Sequence, residues 1–343
     1  MRKLVAKAGS VAGGALGCGA LALVAGGALV LGACGSTNHP GGPGGPGGTS
    51  DAPPGSTIDA SHGGGNPDAP ATSGTDPATM GPYTVSSMDV NIPGSAQGRT
   101  VPATIYTSNA PGPHALVVIS PGFQMARTQY ASYAEHLASW GFVAVNCTYA
   151  DTGFFADHQK LADDVGAVIT YALAQQSLAI DSAKIATAGH SLGGDISTLA
   201  AADDPRVKAV VGWDPVDASN PSVVPEKMGS LHAALAVVGE TTDGAGGGMP
   251  CAPTADNFQQ FYMAAASPAY QLTVAGADHM DWVDDPSCPI CGFCTAGTAD
   301  ASLARTTTKR VNVAWLRRQL FNDTAMDAWL AAPPEAGTSV ARK

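Results

Sequence analysis

The chain has 343 residues, with 28 acidic against 17 basic side chains and a formal net charge of −11. All three charges before Cys34 are basic (Arg2, Lys3, Lys7), so the remainder is more acidic still, which excludes nucleic acid or an anionic membrane face as an electrostatic partner. Charged residues are only 13% of the chain, and once the Gly- and Pro-rich stretches are set aside one core of about 250 residues remains, the size of a single α/β domain.

Residues 1–33 start basic and continue as an uncharged Ala/Gly/Leu/Val run that ends Leu31-Gly32-Ala33-Cys34. This resembles a bacterial lipoprotein signal peptide, with Cys34 as the lipidated residue. A plain secretory signal and a transmembrane anchor are the alternatives, although the many glycines make the run a poor permanent helix. The expected location is exported and lipid-anchored to the bacterial cell envelope, with membrane contact through the lipid alone. Residues 34–80 are Gly, Pro, Ser, Thr and Asp, with GGPGGPGG at 41–48. They have little to bury and read as a disordered tether. His39 and His62 stand alone within it, as solvated side chains.

The folded domain is expected over 81–332, with 333–343 as a flexible tail. Residues 83–92 and 100–106 alternate as two antiparallel strands, with Pro93-Gly94 in the turn between them. Ala115–Ser120 is a continuous apolar run, as in a strand buried on both faces. The loop Pro121-Gly122-Phe123-Gln124 follows at once. Tyr130–Trp140 carries an apolar stripe at helical spacing and ends at Gly141. Phe142–Cys147 is the next buried strand, then a loop at Asp151–Phe155 whose Phe154 and Phe155 are candidates for the pocket wall, and a long helix over His158–Gln176.

The short apolar run Lys184–Ala188 then leads into Gly189-His190-Ser191-Leu192-Gly193-Gly194, with a helix expected over Asp195–Ala202. Strand, G-x-S-x-G, helix is the layout of a nucleophile elbow, in which a tight turn lifts the serine out of the sheet. Small residues are required on both sides because the two backbones approach closely. Further strands are expected at Val207–Trp213, Leu231–Gly239 and Ala269–Ala275. A helix spans Asp256–Ala266, with Asp256 near its cap, and a last helix lies within Ala299–Phe321. Strand and helix alternate, which predicts α/β architecture with a mainly parallel central sheet flanked by helices on both faces.

A serine hydroxyl needs a base within reach and an acid that orients the base. His279 lies just after the last strand. The other histidines of the domain are placed less well: His114 precedes a strand, His136 and His158 lie on helices, His190 is in the elbow itself and His232 begins a strand. For the acid, Asp214 closes the strand after the elbow and is held rigidly there. Asp217, three residues on, and Glu240 or Asp243, after the following strand, are alternatives. The order Ser, acid, His is that of the α/β-hydrolase fold. In that fold the loop after the early buried strand supplies one oxyanion-hole N–H and the residue after the nucleophile supplies the other, which points to Phe123 and Leu192.

GHSLGG, GWDPVD, PCAPTADNFQQFY and DHMDWVDD together resemble the chlorophyllase-type α/β hydrolases over roughly residues 100–320. SPGF and GHSLGG are also similar to the polyester hydrolase and cutinase group. The resemblance implies ester hydrolysis by Ser191, His279 and an aspartate in or near DPVD, with no cofactor and no metal, on a small or polymeric ester. Alternative uses of the same residues are as a lipase, an acyltransferase or a peptidase. A surface lipoprotein that keeps the fold only for binding is a further alternative. Cys251, Cys288, Cys291 and Cys294 have spacing compatible with zinc, but an exported chain favours disulfides. One pairing ties Cys251 to a member of the 288–294 cluster. Cys147, in a buried strand, reads as a packed thiol, and the Gly-rich stretch 244–248 as a rim or linker.

Overall fold

The alternating and continuous apolar runs become the strands of one sheet. The computed structural model describes residues 74–217, 220–243, 250–285, 291–332 and 335–343. The chain divides into two units at His62/Gly63; the expected signal peptide with Cys34, and the tether up to residue 73, lie outside the described residues. In order, the elements are β1 (Val85–Pro93), β2 (Thr100–Ser108), β3 (His114–Ser120), α1 (Ala131–Ser139), β4 (Val143–Cys147), α2 (His158–Ala174), β5 (Ile180–His190), α3 (Leu192–Asp203), β6 (Val207–Trp213), β7 (Ala234–Glu240), α4 (Phe258–Ala264), β8 (Ala269–Val274), α5 (Ala301–Phe321), α6 (Asp327–Ala331) and β9 (Thr338–Arg342).

The sheet order is β1-β2-β4-β3-β5-β6-β7-β8-β9. The strands from β4 to β8 are mutually parallel, while β1, β2 and β9 join them antiparallel. Because side chains alternate across a strand, β3 feeds both faces. Leu116 and Val118 pack with Leu161 and Ile169 of α2, Leu199 of α3 and Phe258 of α4. Val117 and Ile119 pack with Tyr133 and Leu137 of α1 and Val311 and Trp315 of α5. The helices therefore cover both faces, and the chain has the α/β-hydrolase fold. Residues 190, 213 and 274 end β5, β6 and β8 on the same edge of the parallel sheet, so the turns that follow them converge.

The helix ends follow local chemistry. Gly141, with φ +90°, takes the position past α1 that disfavours a side chain, and its N–H bonds the carbonyl of Ala138. Asp157 caps α2. At α4 the cap is Asn257, one residue beyond Asp256, because its side chain accepts from the Gln259 N–H. Among the described residues no helix is long and apolar enough to cross a membrane.

Both ends of the domain reach further than the sequence indicates. Residues 74–80, expected in the tether, dock on the domain. Asp76 pairs with the buried Arg310 guanidinium at 2.7 Å, and the Thr79 carbonyl accepts from His136 and Trp140. The expected flexible tail instead carries β9, which pairs with β8 from Val274↔Thr338 to Tyr270↔Arg342. Neither segment has enough apolar periodicity to be read locally; each is ordered by a partner far away in the chain.

Deleting residues 336–343 uncovers the β8 edge. The expected result is a melting midpoint lowered by about 5 °C and a greater tendency to aggregate, read by scanning fluorimetry with light scattering. An unchanged midpoint would mean that β9 contributes nothing to the sheet.

Candidate active site

β5 runs to His190, and Ser191 turns the chain directly into α3 with φ 55° and ψ −124°. Side chains rarely adopt that backbone, and the turn survives because its neighbours are glycines. A Cβ on Gly189 would stand 2.6 Å from the Ser120 carbonyl oxygen, and one on Gly193 would stand 2.6 Å from that of Pro121. The backbone of the Pro121-Gly122-Phe123 loop is thereby pressed against the elbow. Leu192 is the first residue of α3, so its N–H has no carbonyl one turn back and points from the helix N-terminus.

His279 opens a short 3-10 helix, His279–Trp282, after β8. Asp278 caps it by accepting from the Met280 N–H at 2.9 Å, and Asp281 accepts from the Asp278 N–H at 3.0 Å. The Gly297 N–H also donates to Asp278, at 2.6 Å. Asp214 follows β6 directly, with φ 42°, and its N–H donates to the Val238 carbonyl at 2.6 Å. The three side chains meet in a line. His279 Nε2 lies 2.8 Å from Ser191 Oγ, and His279 Nδ1 lies 2.6 Å from Asp214 Oδ2. Asp214 is fully buried and His279 is buried beside it. Burial pushes the Asp214 carboxyl up from its ordinary value; the hydrogen bond and charge of His279 oppose this, and nearby Asp243 adds to it. A hydroxyl, an imidazole and a buried carboxylate in hydrogen-bonded sequence can draw the proton from Oγ.

The alternative acids have other partners. Asp217 accepts from Ser222 Oγ at 2.6 Å and from the N–H groups of Val223 and Val224 at 2.7 and 3.2 Å. Glu240 is buried and accepts from the Thr242 and Asp243 N–H groups. Asp243 accepts from the N–H groups of Cys251 and Ala252 at 2.6 and 3.0 Å. Each stitches its own loop.

The remaining histidines lie elsewhere. His114 starts β3 with Nδ1 on the Gly141 carbonyl, His136 bonds Thr79, His158 begins α2, and His232 is exposed ahead of β7 rather than within it. His190, in contrast, is buried against His279, with ring centroids 4.7 Å apart; nothing in the local sequence assigns it a partner. Phe154 meets Phe123 edge-on at 5.4 Å and stays mostly exposed, while Phe155 is 97% exposed.

Cys251 and Cys294 form a disulfide, and Cys291 is also disulfide-bonded, which removes the four-thiolate zinc alternative. Cys288 and the Gly-rich stretch 244–248 lie outside the described residues. Burial pushes the Cys147 thiol up to about 12, so it is no nucleophile. Among the described residues no group of three or more His, Cys, Asp or Glu side chains could hold a metal ion.

Comparison with known proteins covers this same region. A family model described as Chlorophyllase matches residues 75–338. The chain is 27% identical over 270 residues to Cutinase 1 of Thermobifida cellulosilytica, across 76% of this chain and 88% of that protein. It is 28% identical over 255 residues to Chlorophyllase-1 of Arabidopsis thaliana, across 65% and 78% of the two chains. It is 26% identical over 272 residues to the bis(hydroxyethyl) terephthalate hydrolase of Streptomyces coelicolor, across 77% and 76%. The matched span runs from the docked residues ahead of β1 to the start of β9 and takes in Ser191, Asp214 and His279, and the chain belongs to the chlorophyllase family.

Proposed function

We propose that this carboxylic ester hydrolase is a serine esterase that works through Ser191, His279 and Asp214 and a covalent acyl-enzyme. The observation that carries the proposal is the unbroken line from Ser191 Oγ to His279 to Asp214, at 2.8 and 2.6 Å, on a strand-to-helix elbow. His279 Nδ1–H donates to Asp214, which leaves Nε2 as the acceptor for the Oγ–H proton. Oγ bonds to the ester carbonyl carbon, and the carbonyl electron pair moves onto oxygen. The N–H groups of Phe123 and Leu192 face the resulting oxyanion. As it re-forms the carbonyl, the C–O bond to the alcohol breaks and His279 returns its proton to the departing alkoxide. Water then attacks the acyl-enzyme by the same route, releasing the acid and restoring the Ser191 hydroxyl.

Esters with an apolar or aromatic component are the proposed substrates. The edge-on pair of half-buried Phe123, in the oxyanion loop, and exposed Phe154 supports this, as do the cutinase, chlorophyllase and terephthalate-ester hydrolase relatives. Export is also proposed, with lipid on Cys34 as the anchor. A disulfide between Cys251 and Cys294 suits an oxidising compartment.

Glu240 keeps the site from carrying excess negative charge. Burial, and then the charge of Asp214, raise its pKa to about 8. It therefore keeps its proton near neutrality beside the Asp214–His279 pair.

The direct test is hydrolysis of p-nitrophenyl esters from acetate to palmitate by the full chain. Ser191→Ala should abolish activity, Asp214→Asn should lower kcat by about 10⁴-fold, and Asp217→Asn should leave it near wild type. Full activity in Asp214→Asn, with the loss transferred to Asp243→Asn, would reassign the acid. A second measurement reads Glu240. The folded chain binds its proton more tightly than the unfolded chain, so its stabilising contribution is complete below about 4.5 and is lost as the pH rises towards about 8. Glu240→Gln cannot ionise, and its melting midpoint relative to wild type should rise steadily from pH 5 to pH 8. A constant difference would mean that Glu240 titrates normally.

A further inference from the structure

We propose that His190 is a positioning residue that, together with Tyr130, ties the oxyanion loop, the elbow and the catalytic base into one hydrogen-bonded unit. The proposal rests on the triad mechanism above.

The geometry is a continuous chain of donors and acceptors. The Gly122 N–H donates to Tyr130 Oη at 3.1 Å. Tyr130 Oη lies 2.8 Å from His190 Nδ1. His190 Nε2 lies 2.8 Å from the backbone carbonyl oxygen of His279. A carbonyl oxygen only accepts, so the proton of the neutral His190 ring sits on Nε2. Nδ1 is then an acceptor, and the Tyr130 hydroxyl donates to it. Each of the four groups uses a role that only one tautomer allows.

The chain joins three segments that are remote in sequence and adjacent at the site. Gly122 precedes Phe123 in the loop after β3. His190 precedes Ser191 at the end of β5. His279 follows β8. All three reacting components depend on sub-ångström placement relative to Ser191 Oγ. The Ser191 N–H bonds the Trp213 carbonyl and holds the elbow to β6, whereas β3 and β8 end at Ser120 and Val274, before Gly122 and His279 are reached. The Tyr130 and His190 side chains bridge the gap beyond the sheet. Both are buried, so water does not replace a lost partner.

Charge also favours this arrangement. His190 packs against the His279 ring at 4.7 Å and lies nearly parallel to Trp282, with centroids 6.3 Å apart. His279 becomes an imidazolium during acyl transfer. A second cation at that distance would oppose it, and burial keeps His190 neutral by pushing its pKa well down, with the His279 charge acting in the same direction. Nitrogen acceptors and donors are thus held beside the base without a competing charge.

The test compares Tyr130→Phe, His190→Leu and His190→Gln in the full chain with wild type. Complete fluorophosphonate labelling counts the competent Ser191 sites, so that kcat is expressed per labelled site. Tyr130→Phe is expected to lower kcat per site about tenfold and His190→Leu about a hundredfold, each with KM within about twofold of wild type. His190→Gln keeps one donor for His279 and one acceptor for Tyr130, and should recover most of the rate. In wild type, nitrogen NMR should find His190 protonated on Nε2 and bare on Nδ1. Unchanged kcat per site in both Tyr130→Phe and His190→Leu would overturn the proposal. So would equal losses in His190→Leu and His190→Gln, or a proton on Nδ1, which is read without any variant. If wild-type Ser191 takes no label, the triad mechanism itself fails and this proposal falls with it; labelling at Ser191 with any of the preceding contrary results removes this proposal alone.

Discussion

Backbone packed directly on backbone around Ser191 is the constraint on which the site depends. Gly193 lies so close to the loop after β3 that a side chain there would strike the Pro121 carbonyl, and a Cβ on Gly194 would come 2.7 Å from Pro215 Cβ. One glycine therefore seats the loop that carries Phe123, and the next seats the turn that carries Asp214. Three of the five non-glycine residues with positive φ among the described residues are Gln124, Ser191 and Asp214, one in each of these turns. Such conformations cost about 1–3 kcal/mol each and persist where the surroundings over-determine them. Here the surroundings are nine hydrogen-bonded strands with helices packed on both faces.

The electrostatic design is economical in charge. Asp214, Glu240 and Asp243 are all buried and near one another beside His279. Three free carboxylates there would repel one another and incur large desolvation costs. Asp214 is partnered by His279, Asp243 accepts two backbone N–H groups, and Glu240 retains its proton. His190 adds a second imidazole without adding a charge. The buried hydrogen bond from His279 to Asp214 is strengthened by its low-dielectric surroundings, which tighten its hold on the histidine ring.

The loops beside His279 are braced from outside. The Cys251–Cys294 disulfide joins the segment after β7 to the segment after the His279 helix. Cys251 is also fastened to Asp243 through its N–H, and the second segment reaches Asp278 through the Gly297 N–H. Covalent and hydrogen-bonded links thus run from the acidic cluster to the residue next to His279.

Much of this is written in short-range sequence. The elbow is legible because G-x-S-x-G between an apolar run and a helix answers to a local steric demand. His279 is legible because it follows the last apolar strand, and Asp214 because it closes the strand after the elbow. The continuous apolar runs of β3 and β4 imply a doubly covered parallel sheet, because only strands buried on both faces can dispense with alternation. Other features are settled by residues far apart in the chain. Asp217, Glu240 and Asp243 stay open as alternatives to Asp214 in the sequence, and only the fold shows that Asp214 is the one that meets the imidazole. The docking of Asp76 on Arg310 and the pairing of β9 with β8 have no local signal either, and the sequence pairs Cys251 with the 288–294 cluster but leaves its member open, which the fold settles as Cys294. His190 is the sharpest case. Its sequence position looks like an incidental residue inside a motif, yet its two nitrogens meet Tyr130 and the His279 carbonyl, 60 and 89 residues away. Local sequence specifies which backbone conformations are allowed; hydrogen bonds between distant segments exist only once the sheet has brought their ends together.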